Sequence, residues 1–308
     1  MKTLVFVILC AAGTTGVFGQ DNPATFKGGI DLVALNVVVV DPRQQFVGGL
    51  TAGNFAVFED GVQQDVSFFA AAELPLDLAI LLDTSSSMHA KIATAQEAAV
   101  GLVSALRPVD RLLVMDIKDS ARVLSPLSHD LDTAKSAIRG TSAAGNTAIY
   151  NGLYLTLKEM ARQKQPGRNV RRQAVVLLSD GDDTTSLVTY DDVMELARQT
   201  GISIYTIMLR SSQYESDIAR RNAQASKSEY GMKALAQETG GRSFLALQIN
   251  DLAGVYRAIG EELASQYAIG YMPTNQLRDG AYRRVNVRIV DRANAQPRTR
   301  AGYLAPRG

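Results

Sequence analysis

The sequence predicts an α/β fold: a doubly wound, mostly parallel sheet with helices on both faces, flanked by a small all-β domain drawn from both chain ends. Three observations predict it. Strand and helix patterns alternate from residue 76 to 266. The strands of that stretch are continuous apolar runs, such as LDLAILLD (76–83) and RRQAVVLLSD (171–180), as strands covered on both sides require. On either side, at 27–72 and 267–308, strands and turn signals appear without helical spacing.

The elements follow in order. MKTLVFVILCAAGTTGVFGQ has one Lys, an apolar core from Leu4 to Ala12, and small residues up to Gly19. That is the layout of a signal peptide spanning 1–19, and its apolar core is shorter than the about 20 residues a bilayer demands. An exported chain, periplasmic or secreted, is expected. The only cysteine, Cys10, lies in this leader behind Leu9, where a lipoprotein signal wants a small residue. The mature chain would then hold no disulfide, and its stability falls to its core.

IDLVALNVVVVD (30–41) reads as a strand buried on both sides, and NFAVFEDGVQQDVSFFA (54–70) as two strands around Glu59-Asp60-Gly61. After strand 76–83, residues 90–106 place Ile92, Ala95, Ala99, Leu102, Val103 and Leu106 on one helical face. DRLLVMDI (110–117) and ARVLSPL (121–127) are strands, and 130–139 is a helix capped by Asp130. Helix 147–162, strand 171–178, helix 190–200 ending at Gly201, strand 202–209, helix 230–239, strand 243–247 and helix 251–266 complete the alternation. The α/β domain is therefore set at 75–266. Polar residues 211–229 read as a loop. YAIGYMP (267–273) and YRRVNVRIVD (282–291) return to β, and the simplest architecture packs them with the N-terminal segment.

Composition is that of a soluble globular chain, with 46% hydrophobic and 20% charged residues and a net charge of +1. This balance gives no general pull toward nucleic acid or acidic membranes. In open α/β sheets, ligands sit beyond the carboxyl ends of the strands. Three polar sets fall in that region: Asp83-Thr84-Ser85-Ser86-Ser87, Gly145-Asn146-Thr147, and Ser179-Asp180-Gly181-Asp182-Asp183. Two carboxylates with several hydroxyls are hard oxygen donors, suited to Mg²⁺, Mn²⁺ or Ca²⁺ rather than zinc. Neutral hydroxyl ligands leave a divalent ion under-neutralised, so it seeks an anionic oxygen from outside.

These motifs resemble the von Willebrand factor type A domain. DTSSS is similar to that family's Asp-x-Ser-x-Ser, GNT to its loop threonine, and SDGDD to its Thr/Ser-Asp-Gly-x-Asp signature. The flanks GLTAGNFAVFEDGVQQDVSFF and YAIGYMPTNQLRDGAYRRVNVRI resemble those of a bacterial, acidobacterial-type related family. The resemblance implies a metal-ion-dependent adhesion site (MIDAS). Ser85 and Ser87 would bind the ion directly, Thr147 directly or through water, and Asp83 and Asp180 largely through water. A protein partner's Asp or Glu would complete the shell. Ser179 stands where the family more often has Thr, and Asn146 where it often has Gly.

Other readings compete. A hydrolase using a serine of the Asp83–Ser87 cluster needs a base, and only His89 and His129 exist. No G-x-S-x-G elbow is present. A phosphotransfer enzyme with Asp83 as nucleophile would want an acid where Ser85 stands. A structural envelope component with a vestigial site is the fourth reading. Asp182 and Asp183 read as solvated loop carboxylates, Asp182 being the nearer to the site. The two histidines read as surface or capping residues, Arg168, Arg171 and Arg172 as a solvated face, and Phe68–Phe69 and Tyr267–Tyr271 as core aromatics.

Overall fold

The computed structural model describes residues 32–71, 74–164, 170–209, 229–292 and 294–308. The leader at 1–19, Arg168 and nearly all of the 211–229 loop lie outside them. The first strands are β1 (Val33–Val40), β2 (Phe55–Glu59), β3 (Val62–Gln64) and β4 (Val66–Ala71). Sequence reading expected two strands between 54 and 70, where the structure has three. Asp60 (φ 48°) and Gly61 (φ 87°) make the tight turn between β2 and β3. The ladder then breaks at Asp65 and β4 joins a different sheet. Gln64 fixes the break: its buried amide donates to Thr274 Oγ1 at 3.0 Å and accepts from Thr274 N at 2.9 Å.

The α/β unit follows. Its elements are β5 (Leu76–Asp83), α1 (Ile92–Ser104), β6 (Arg111–Ile117), β7 (Ala121–Ser128), α2 (Leu131–Arg139), α3 (Ile149–Arg162), β8 (Arg172–Ser179), α4 (Tyr190–Thr200), β9 (Ser203–Leu209), α5 (229–238), β10 (Ser243–Ala246) and α6 (Leu252–Ala264). The sheet runs β10-β9-β8-β5-β6-β7, parallel except for β7. Every residue of β5 and β8 is buried, which explains their unbroken apolar runs. Leu78, Ile80 and Leu82 face α1, α2 and α6, whereas Ala79 and Leu81 face α3, α4 and α5. The chain starts in the middle at β5, builds outward through β6 and β7, then returns to β8 on β5's other side. The strand order therefore reverses between β5 and β8, and the loops leaving these two strands open onto one crevice.

Arg171 and Arg172 are not a solvated face. Arg171 Nε donates to Asp77 at 2.6 Å, and Arg111 closes on the same carboxylate from the other side at 2.6 Å. Arg172 is buried and donates to the carbonyls of Leu74 and Leu263. A central strand leaves no water beside its first residue, so this guanidinium bonds the last turn of α6, where the helix dipole favours a cation.

The remaining strands are β11 (Tyr267–Tyr271), β12 (Tyr282–Ile289), β13 (Gln296–Arg298) and β14 (Gly302–Leu304). The last two were not visible in the sequence. They form two antiparallel four-stranded sheets with the early strands, ordered β13-β1-β11-β4 and β14-β12-β2-β3. Val33 pairs with Tyr271 and Val57 with Val287, so both chain ends interleave in each sheet. Leu35, Val37, Val57, Ile269, Tyr271 and Val287 fill the core between the sheets. Phe69 and Tyr267 sit in that core region, stacked at 5.9 Å. Among the described residues no helix is long and apolar enough to cross a membrane.

Candidate metal centre

Strand β5 ends at Asp83, whose side chain is fully buried and bonded at both oxygens. Oδ1 accepts from Ser85 N at 2.9 Å and Oδ2 from Ser179 Oγ at 2.6 Å. Burial raises the Asp83 pKa, and the bonds from Ser179 and Ser85 oppose that rise. The next residues turn sharply. Thr84 donates its hydroxyl to Asp116 at the end of β6, and its N–H bonds Ile117 O at 3.0 Å. Ser86–Met88 make one 3-10 turn, pinned by Met88, which is wholly buried against α1. This tethers the loop to the core while Ser86 and Ser87 stay exposed.

The hydroxyls converge. Ser85 Oγ and Ser87 Oγ are 3.0 Å apart, and Ser87 Oγ donates to Asp180 Oδ1 at 2.6 Å. Asp180, just past β8, is held at its other oxygen by Lys91, at the start of α1. Four predicted residues, Asp83, Ser85, Ser87 and Asp180, thus share one hydrogen-bonded set. Thr147 makes no hydrogen bond to these four among the described residues; its own bonds run to Thr184, and its loop meets theirs at Gly145. Gly145 O accepts from Ser86 N at 3.0 Å, and Thr147 O accepts from Thr184 N at 2.8 Å. Thr147 N donates to Thr184 Oγ1 at 3.1 Å. No hydrogen bond at Thr147 uses its hydroxyl among the described residues.

Sequence reasoning missed three supporting side chains. Lys91 is the first. Asp119, in the β6–β7 turn, accepts from Asn146 N at 2.9 Å and Asn146 Nδ2 at 2.8 Å. A Cβ on Gly145 (φ +76°) would lie 2.3 Å from that carboxylate, so only glycine admits it. Asp183 is the third, and it corrects the solvated reading. It accepts from Tyr150 N at 2.9 Å and Ser186 N at 3.1 Å, capping the first turn of α3. Each is an isolated acid or base in a polar loop, and only its neighbours in space reveal its role.

The donor set is chemically specific. Among the described residues, no group of three or more His, Cys, Asp or Glu side chains gathers as a metal site. The oxygens here are hydroxyl and carboxylate. Mg²⁺–oxygen distances of about 2.0–2.1 Å in an octahedron put adjacent ligand oxygens ~3 Å apart, which the Ser85–Ser87 separation of 3.0 Å matches. A hydrolytic reading has no such support. His129 Nδ1 lies 3.0 Å from Asp110 O, just ahead of β6 and at the opposite end of the sheet. The Ser85 and Ser87 hydroxyls bond each other and Asp180, with no histidine in the set.

Comparisons with known proteins bear on the family and the fold. A family model for the von Willebrand factor type A domain matches residues 77–254. An uncharacterised protein of Synechocystis is 35% identical over 114 residues, covering 36% of this chain and 26% of that protein. A UPF0353 protein of Mycolicibacterium paratuberculosis is 24% identical over 214 residues, 65% of each chain. The chain thus spans between about a quarter and two thirds of these relatives' length. Among solved structures, a von Willebrand factor type A protein from Catenulispora acidiphila superposes with a TM-score of 0.52 at 14% identity, covering 94% of this chain and 76% of that one. Proximal thread matrix protein 1 of the mussel byssus gives 0.50 at 14% identity, covering 63% and 49%. At such identities the likeness is one of fold. The family model spans more than half of the chain, and this protein belongs to the von Willebrand factor type A family, whose domains are metal-dependent adhesion and interaction modules.

Proposed function

We propose that this protein is an exported binding module that grips an acidic group of a partner protein through a divalent cation. Ser85, Ser87 and Thr147 would hold the ion through hydroxyl oxygens, and Asp83 and Asp180 would orient them and balance its charge. The ion is Mg²⁺, with Mn²⁺ or Ca²⁺ as alternatives, because every donor is a hard oxygen. When bound, it supplies a Lewis-acid position for a carboxylate oxygen. The observation that carries the reading is the convergence of Ser85, Ser87 and Asp180, at 3.0 and 2.6 Å, in the crevice where the strand order reverses. The chain's own part is to bind and orient. Asp83 is locked at both oxygens, Met88 anchors the loop in the core, and exposed Ser87 presents the site to solvent.

Calorimetric titration with Mg²⁺ and Mn²⁺ tests this. The wild-type chain is expected to bind one ion saturably, and Asp83→Ala to lose that binding while keeping its circular dichroism spectrum. Wild-type affinity in Asp83→Ala would overturn the site. Capture of partners would then be compared with and without EDTA.

A further inference from the structure

At the other pole of the sheet, below the amino ends of β8 and β9, a cavity of about 1070 Å³ opens between the α/β unit and the β sandwich. Module seams of this kind are where small-molecule sites concentrate, with typical volumes of about 300–1,000 Å³. Among the described residues its lining holds five cations, Lys164, Arg171, Arg172, Arg278 and Arg300, and no Asp or Glu. Arg171 is paired with Asp77 behind the wall, and Arg172 is engaged by carbonyls.

Lys164 and Arg300 are different, because no acid meets them among the described residues. Both heads reach the last turn of α4. Lys164 Nζ donates to Thr200 O. The Arg300 guanidinium lies on Gly201, where a Cβ would fall 2.3 Å from Nη1, and stacks over the Tyr303 ring at 5.3 Å. The partial negative charge of a helix C-terminus accounts for the Lys164 contact. It does not account for Arg300, whose Nε is buried with no hydrogen-bond partner. Two cations side by side, with one buried donor unmatched, leave a local excess of positive charge. The electrostatics agree: surrounding protein, and then the neighbouring Arg300, push the Lys164 ammonium down to about 8. The rest of the wall is partly apolar, including Leu32, Phe68 and Ile269, with Met272 and Leu277 exposed at the rim.

We propose that this cavity binds a small organic anion, its acidic head on Arg300 and Lys164 and its apolar body along Leu32, Phe68 and Met272. The site is independent of the metal centre, which lies at the opposite ends of the same strands. Two fluorescent dyes that differ only in an acidic group test it: anilinonaphthalene sulfonate and its uncharged parent, phenylnaphthylamine. The full chain is expected to bind the sulfonate saturably and the neutral dye at least about tenfold more weakly, the range expected for hydrogen bonds to a charged group. Octanoate should displace the sulfonate, showing that a carboxylate head suffices. Lys164→Met and Arg300→Met should each weaken the sulfonate about tenfold and leave the neutral dye unchanged. Lys164 is open to the cavity, so its variant serves if the Arg300 variant fails to fold. Asp83→Ala and EDTA should leave dye binding untouched, which separates this site from the metal centre. Equal binding of the two dyes, no saturable sulfonate binding, or wild-type affinity in Lys164→Met would each overturn the proposal.

Discussion

Each oxygen of Asp180 already has a donor, Ser87 on one and Lys91 on the other. The two donors act oppositely toward a divalent cation. Ser87 offers it a further oxygen, whereas Lys91 sets a positive charge on the carboxylate the cation needs. The Lys91 ammonium is partly exposed, so the repulsion is modest, of the order of 1 kcal/mol. Lys91→Met is expected to tighten Mg²⁺ binding roughly threefold to tenfold, read by calorimetry and growing as salt is lowered. Weaker binding in that variant would mean that Lys91 chiefly holds Asp180 in place. Neither outcome was open to sequence reasoning. The Asp-x-Ser-x-Ser and Ser-Asp-Gly stretches stood out because carboxylates and hydroxyls crowd strand ends. Lys91 looked like any polar residue at a helix start.

Among the elements, the loop from Gly145 to Thr147 depends most on others for its shape. Its bonds run to Ser86, to Thr184 and, through Asn146, to the Asp119 carboxylate. Asp119→Ala removes two of these bonds from an exposed turn. It is expected to weaken divalent-ion affinity about tenfold while costing only about 1 kcal/mol of global stability, checked by calorimetry beside a thermal melt. A collapse of the melt would instead mark Asp119 as a residue of the fold. The legible elements were those with a strong period. Buried β5 and β8 and the amphipathic helices announced themselves, and with them the crevice between β5 and β8. The break at Asp65 was hidden because VQQDVSFF reads as one run, and only Thr274, far along the chain, ends it. Strands β13 and β14 are three residues each, too short for any alternation to show.

At the scale of the whole molecule, two modules are built from one chain, the helical sheet between two halves of a sandwich. Sequence reading expected this order from the loss of helical spacing before residue 75 and after 266. The cavity it did not reach, because its wall is assembled from stretches scattered between residues 32 and 306 whose cations are unremarkable one at a time. The interleaving of the ends also orders events in time. Tyr267 bonds Val47 O and Leu50 N across separations of 220 and 217 residues, contacts that no short-range closure brings about. The parallel sheet has shorter links to close, and once formed it delivers both ends to the same place. Refolding is therefore expected in two stages. Pulsed hydrogen exchange should find the amides of β5, β6 and β8 protected before those of β1 and β11. A nascent chain would carry β1 and β4 unpaired until nearly all of the protein had emerged, so their protection from aggregation falls to whatever escorts the chain while it is being made.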